Sequence, residues 1–154
     1  MLRTRAYFLT RPARRLATIL NVAFFSFALQ ADTPDIPPDH LEFFESQIRP
    51  VLAEKCYSCH NSVNAAEADL ALDHRDGIRS ETEHGTVVIP GDTANSLLMK
   101  VIRHQLDDLE MPEDAGKLDA PTIASFEAWI RMGAPDPRDS PPSEQQLRQA
   151  TSWE

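Results

Sequence analysis

Two cysteines and a histidine stand together in the stretch C-Y-S-C-H, where Cys56 and Cys59 are the only cysteines of the 154-residue chain and His60 follows at once. This C-x-x-C-H spacing is typical of covalent haem attachment. Positions three and four apart share one face of a helical turn, so both thiols can form thioethers with the porphyrin vinyl groups while the histidine ring turns to the iron. The motif therefore predicts one haem c, held by Cys56 and Cys59 and ligated by His60, with Tyr57 and Ser58 as spacers.

Three other interpretations of the cysteines are weaker. A structural zinc site needs four ligands, and the remaining histidines form no second pair that could complete one. A thioredoxin-like dithiol needs a βαβ context, whereas helical and loop patterns surround this stretch. A disulfide between Cys56 and Cys59 would close a loop too small to stabilise the fold.

A single histidine leaves one axial position on the iron, and Met111, in the stretch L-E-M-P-E-D-A-G, is the preferred sixth ligand. It lies between two predicted helices, where Pro112 restricts the local backbone. Met99 and Met132 fall in helical patterns and suit a core better, while His104, at the end of a predicted helix, is the main rival. Met/His ligation suits electron transfer, whereas an open sixth position would suit ligand binding or peroxide chemistry.

Acidic residues cluster around the candidate sixth ligand. If this loop covers the haem edge, the cluster surrounds the point of electron entry, and a redox partner with a basic surface could dock there. An ordinary solvated loop is the alternative. The acids are Asp107, Asp108, Glu110, Glu113 and Asp114.

The elements that must position these residues are predicted to be helical. The segment H-L-E-F-F-E-S-Q-I-R-P-V-L-A-E-K-C has helically spaced apolar residues, with Asp39 as its N-cap, and Pro50 should kink or divide it. A second helix is predicted over D-T-A-N-S-L-L-M-K-V-I-R-H-Q, with Asp92 or Asn95 at its start. Residues 61–91 have a weak pattern, which predicts a wrapping loop with a short helix at D-H-R-D-G-I-R-S and an extended piece at T-V-V-I-P.

The last predicted helix lies in D-A-P-T-I-A-S-F-E-A-W-I-R-M-G-A-P, with Asp119 as its cap and Gly133 as its stop. The sum is an all-α domain whose loops are long for so few apolar residues, so a haem should complete the core. The buried face of the last helix should comprise Ile123, Phe126, Trp129 and Ile130, with Phe126 and Trp129 near the porphyrin.

The ends of the chain differ in composition from the middle. Residues 1–31 combine five arginines with a short apolar run and are predicted to be a secretory signal peptide, with an uncleaved membrane anchor as the alternative. A proline-rich linker (32–39), the helical domain (40–138) and a polar, proline-rich tail (139–154) follow. We therefore expect an exported, periplasmic or otherwise extracytoplasmic protein without a stable membrane span after cleavage.

The charge of the chain is strongly negative. Loss of the five arginines in residues 1–31 would move the formal charge from -9 to -14. Such a field repels nucleic acid and anionic membranes, and it favours basic protein partners. Plain solubility is the alternative explanation.

The motif, the methionine loop and the last helix together resemble the planctomycete-type cytochrome c domain. The matching stretches are F-F-E-S-Q-I-R-P-V-L-A-E-K-C-Y-S-C-H-N, L-A-L-D, V-V-I-P-G-D-T-A-N-S-L-L-M-K-V-I, and L-E-M-P-E-D-A-G-K-L-D-A-P-T-I-A-S-F-E-A-W-I-R-M-G-A-P-D-P-R. The resemblance implies a small all-helical cytochrome c fold with haem on Cys56 and Cys59, His60 as proximal ligand and Met111 as distal ligand. The chain departs from this pattern at E-A-D and at E-H-G-T-V-V, where glycines are usual.

These features predict a monohaem electron carrier rather than an enzyme, exchanging electrons with a redox donor and acceptor. Two alternatives stay open: a haem enzyme or gas-binding module with an open sixth position, and a non-catalytic interaction module. In relatives the domain often begins a longer secreted protein, so the chain could also be the N-terminal electron-transfer part of a larger enzyme.

Overall fold

The structure, a computed structural model, describes residues 35–63, 65–113, 116–143 and 145–146. The predicted signal peptide, the first part of the linker and the end of the tail lie outside these residues. The elements, in chain order, are helix α1 (Pro38–Phe43), a π-helical turn (Phe44–Ile48), helix α2 (Arg49–Lys55), strands β1 (His60–Asn61) and β2 (Ala65–Ala66), a 3₁₀ turn (Glu67–Asp69), helix α3 (Arg75–Ile78), strands β3 (Glu81–Thr82) and β4 (Gly85–Thr86), helix α4 (Leu97–Ile102) and helix α5 (Ala120–Arg131).

The first helical stretch runs from Pro38 through the π turn to Lys55. Its N-cap residue is Pro37, whose side chain makes no capping hydrogen bond, and the predicted cap, Asp39, lies in the first turn. Pro38 suits the first helical position, because its fixed φ is already helical and an amide hydrogen would have no partner there. The π turn comes directly before the turn that contains Pro50, whose ring crowds the preceding residues. Pro50 therefore lies where the helix is divided but does not end it.

The fold is mixed, and the prediction of an all-α class is wrong. Two antiparallel sheets of two strands each lie within residues 60–86. Strands of two residues leave no alternating pattern in a sequence, which is why the stretch 61–91 resembled a plain loop. The pairing of these strands provides hydrogen-bond partners for backbone N–H and C=O groups in a region without a long helix. The paired residues are His60 with Ala66, Asn61 with Ala65, Glu81 with Thr86, and Thr82 with Gly85.

Helix α4 is shorter than predicted. It begins after Ser96, because Asp92 folds the preceding residues into a turn in which its side chain accepts the backbone N–H groups of Ala94 and Asn95, at 3.1 and 3.0 Å. The Ser96 hydroxyl donates to the Asp92 carbonyl at 2.6 Å. All of the helix residues except Lys100 are buried.

Helix α5 follows the prediction closely. The Asp119 side chain accepts the N–H of Thr122 at 2.9 Å, and the chain leaves the helix through Gly133 at φ 97°. Within the helix, Phe126, Trp129 and Ile130 are buried, while Ile123 packs against the core from a half-buried position. The Trp129 ring lies 6.0 Å from that of Phe44, so α5 packs against the π turn.

None of the helices in the described ranges has the length and apolar character needed to span a bilayer.

Candidate functional site

The C-Y-S-C-H motif forms a single tight turn at the end of α2. The N–H groups of Cys59 and His60 both donate to the Cys56 carbonyl, at 3.2 and 2.9 Å. Cys56 is half-buried, Cys59 is exposed, and the two thiols are not joined by a disulfide. The turn therefore has the three- and four-residue spacing on which the haem prediction depends.

A mainly apolar cleft lies beside this turn. Cys56, His60 and Met111 all line it, whereas Cys59 lies outside the lining. The cavity itself measures about 110 Å³, and all the empty space of the cleft, solvent side included, about 800 Å³. The apolar part of its lining consists of Ala68, Leu70, Leu72, Leu97, Leu98, Val101, Ile102, Leu109, Pro112, Leu118 and Phe126.

These residues fit a haem by their chemistry. The apolar side chains suit a porphyrin, and an imidazole and a thioether are a known axial ligand pair for its iron. Ligand pockets usually hold about 300–1,000 Å³, so the enclosed cavity of about 110 Å³ is too small for a whole porphyrin. A haem bound here would extend out of the cavity into the open part of the cleft. No group of three or more His, Cys, Asp or Glu side chains suited to a metal ion occurs within the described ranges.

The His60 ring is held by the backbone of the next loop. Its Nδ1 lies 3.3 Å from the Leu70 carbonyl oxygen, and the Leu72 N–H donates to the His60 carbonyl at 2.9 Å. A ring whose Nδ1–H donates to a carbonyl has Nε2 free to coordinate a metal, and such a contact also fixes the ring orientation. The contact with the loop therefore leaves Nε2 of His60 available to a metal.

Gly77 brings that loop close to helix α3. A Cβ atom at this position would lie 2.0 Å from the Ala71 carbonyl oxygen and 2.8 Å from His74 Cε1. Only a residue without a side chain allows this approach. Gly77 thus supports the position of Ala71, between the two residues that contact His60.

Met111 is half-buried in the acidic loop, and its N–H donates to the Val101 carbonyl of α4 at 3.2 Å. The peptide bond between Met111 and Pro112 is cis. The three rivals lie outside the cleft lining. Met99 is a fully buried core residue and Met132 caps the end of α5. His104 Nδ1 lies 3.4 Å from Glu110 Oε2.

Of the two aromatic residues expected near the porphyrin, only Phe126 lines the cleft. Trp129 lies behind it, with ring centroids 6.2 Å apart, and its Nε1–H donates to the Pro135 carbonyl at 2.9 Å. Trp129 is therefore a core residue one layer away from the cleft.

The spacer residue Tyr57 has a structural role that the sequence did not reveal. The Arg138 guanidinium donates to its hydroxyl, to the Leu72 carbonyl at 3.0 Å and to Asp136 Oδ1 at 2.8 Å. The Arg138 Cζ also lies 5.0 Å from the centre of the Phe44 ring. We call Tyr57, Asp136 and Arg138 the arginine cluster. It joins the segment after α5 to the attachment motif and to the loop that orients His60.

Burial raises the pKa of two residues of the motif, Cys56 and Tyr57. It raises the pKa of the Cys56 thiol to about 11, with a smaller contribution from nearby Cys59. Burial also raises the pKa of Tyr57 to about 12, against the lowering effect of Arg138 and Arg49. Because the thiolate is the reactive form of cysteine, the Cys56 thiol is poorly reactive in the folded chain without haem.

The structure describes four of the five acidic residues around Met111. Asp107, Asp108, Glu110 and Glu113 are all exposed, and Asp114 lies outside the described residues. A surface of one charge sign on a loop next to the cleft can steer a partner of the opposite sign.

The comparison with known families supports a c-type cytochrome. The family model described as Planctomycete cytochrome C matches residues 56–114, which include the C-Y-S-C-H motif and Met111. This match confirms the resemblance seen in the sequence over residues 56–114. No curated protein and no solved structure matches the chain.

Proposed function

We propose that the chain is an exported monohaem cytochrome that carries single electrons through a haem iron ligated by His60 and Met111. The observation that supports this most is that Cys56, His60 and Met111, from separate parts of the sequence, line one apolar cleft. A bound haem would supply an iron that gains and loses one electron. Side chains of this chain would bind the haem and orient the ligands of its iron.

In this proposal the C-Y-S-C-H motif binds the haem, and the neighbouring loops orient the iron ligands. Cys56 and Cys59 would hold the haem through thioether bonds. His60 would bind the iron through Nε2, because its Nδ1 faces the Leu70 carbonyl at 3.3 Å. Met111 would supply the second ligand, and the hydrogen bond from its N–H to the Val101 carbonyl of α4 supports its position. Met/His ligation raises the reduction potential, which suits an electron carrier.

The lining of the cleft favours a carrier over an enzyme that transforms a substrate. Most of the described lining residues are apolar, which suits a bound porphyrin. Such walls would limit the access of water to its iron. Electron transfer needs neither a proton donor nor a substrate pocket.

Partner choice would depend on the exposed acids beside Met111. Asp107, Asp108, Glu110 and Glu113 give this loop a negative surface. We propose that a redox protein with a basic surface docks there, since charges at the rim of an interface mainly accelerate encounter. The proposed site of action is outside the cytoplasm, as the predicted signal peptide implies.

The test is a visible spectrum of the protein exported in a host with c-type maturation enzymes, recorded oxidised and reduced and again after denaturation. We expect haem that stays attached on denaturation and a low-spin spectrum with methionine ligation. Met111→Ala should abolish the methionine features, while Met132→Ala, a methionine outside the cleft, should keep them. A high-spin wild-type spectrum would instead indicate an open sixth position and ligand binding or peroxide chemistry. Absence of covalent haem would overturn the proposal.

A further inference from the structure

Apart from the attachment and ligand residues, the cleft has three polar lining side chains: Lys55, Thr82 and His84. Thr82 and His84 belong to the hairpin of β3 and β4, with His84 in its two-residue turn. We propose that His84 donates a hydrogen bond to a carboxylate of the bound haem. This inference rests on the proposed haem function and adds a binding residue to it.

The chemistry of haem creates the need for such a donor. A haem has two carboxylates, on the edge opposite its vinyl groups, and a hydrogen bond to an ionised carboxylate is stronger than one between neutral groups. In this cleft the vinyl edge would be taken by Cys56 and Cys59. Lys55 directly precedes Cys56, one of the two proposed attachment residues, and its ammonium already lies 2.7 Å from Glu54 Oε1. The hairpin, which is remote in sequence from the attachment residues, is therefore the better source of a donor for the carboxylates.

Within the hairpin, Thr82 is already committed. Its hydroxyl donates to the Gly85 carbonyl at 2.9 Å and accepts the His84 N–H at 3.2 Å. These bonds shape the turn, in which Gly85 has φ 121°, a conformation that favours glycine. The Thr82 hydroxyl thus fixes the backbone of His84, while the imidazole ring of His84 can still donate a hydrogen bond.

The His84 ring is available. Its side-chain partner in the described part of the chain is Glu83, with Nε2 3.5 Å from Oε1, beyond the usual N–H···O range of about 2.7–3.2 Å. The His84 side chain is 53% exposed, so it stands at the open side of the cleft, where haem carboxylates could keep water. A buried position would suit an iron ligand better.

The experiment uses resonance Raman spectra of the haem-loaded, full-length protein. The bending bands of the haem carboxylates report their hydrogen bonds. We expect these bands to shift in His84→Ala, to stay near the wild-type position in His84→Gln, whose amide can still donate, and to be unchanged in His40→Ala. His40 is the matched control because it lies in α1 and outside the cleft lining.

Two results would overturn the proposal. Carboxylate bands that do not move in His84→Ala would mean that the ring makes no such bond. A change in the spin state or axial ligation of the iron in His84→Ala would mean that the ring acts at the iron instead. Covalent haem is measured first on the same samples, so failure of the proposed cytochrome function is detected separately.

Discussion

The arginine cluster leads to a prediction whose size follows from burial. The Arg138 side chain is 8% exposed and the Asp136 side chain 0%. The Arg138 head group makes two bonds to this carboxylate, at 2.8 and 2.5 Å, and also donates to Tyr57 and the Leu72 carbonyl. Burial opposes the charge on Arg138, but the hydrogen bonds to Asp136 raise its pKa overall. The pair is therefore a charged contact in the interior.

Arg138→Ala should leave the Asp136 carboxylate buried without its cation. Breaking a buried ion pair in this way costs about 3–5 kcal/mol. For a domain of this size, that corresponds to a fall in Tm of roughly 12–40 °C. Arg131→Ala is the matched control, since Arg131 pairs with Glu127 from a side chain that is 63% exposed. Such a surface pair contributes about 0–1 kcal/mol.

Urea unfolding of the haem-loaded protein, followed by circular dichroism, measures both variants. The double variant Asp136→Asn with Arg138→Met should lose less stability than Arg138→Ala, because it leaves no lone carboxylate. If Arg138→Ala lost no more than Arg131→Ala, the cluster would not be a stabilising element and the reasoning from burial would be refuted.

Three further predictions concern the motif, its supporting loop and the acidic surface. In the chain without haem, the free energy of unfolding should be unaffected by Cys56 below pH 9 and fall as the pH rises toward 11, because burial raises the Cys56 pKa from 9.0 to about 11. The loss is at most about 2–3 kcal/mol. Urea unfolding at several pH values measures it, and the same pH dependence in Cys56→Ala would contradict the prediction. Gly77→Ala should destabilise the haem protein by about 1–3 kcal/mol, because its Cβ would meet the Ala71 carbonyl; an unchanged Tm would refute the close approach. Reversal of the acids at 107, 108, 110 and 113 to lysine should slow electron transfer to a basic partner about tenfold or more at low salt; a rate that is unchanged and insensitive to salt would exclude docking there.

Features encoded by neighbouring residues could be predicted from the sequence. The turn of the C-Y-S-C-H motif and helix α5 depend on local signals: the cysteine spacing, the Asp119 cap and the exit through Gly133. Met111 lines the cleft and Met99 lies in the core, while the role of Met111 as a ligand stays a prediction.

Features that depend on distant contacts were missed. The two hairpins are too short for a periodic signal, and the hairpin of β3 and β4 is what brings His84 to the cleft. Tyr57 looked like a spacer because its partner, Arg138, lies 81 positions further along the chain. No pattern within a window of ordinary length connects such residues.

That separation has a consequence for the order of events as the chain is made. Synthesis runs from the N-terminus, so Cys56 and Cys59 exist well before Asp136 and Arg138, the residues that hold Tyr57 in place. Long-range contacts of this kind are also slow to form, because the intervening loop must close first. In the unfolded chain the Cys56 thiol is exposed and its pKa is the ordinary one, since it is burial in the folded chain that raises it. The distance between Tyr57 and Arg138 thus separates two stages of folding: the turn of the motif, which is local, and the arginine cluster, which needs the chain as far as residue 138.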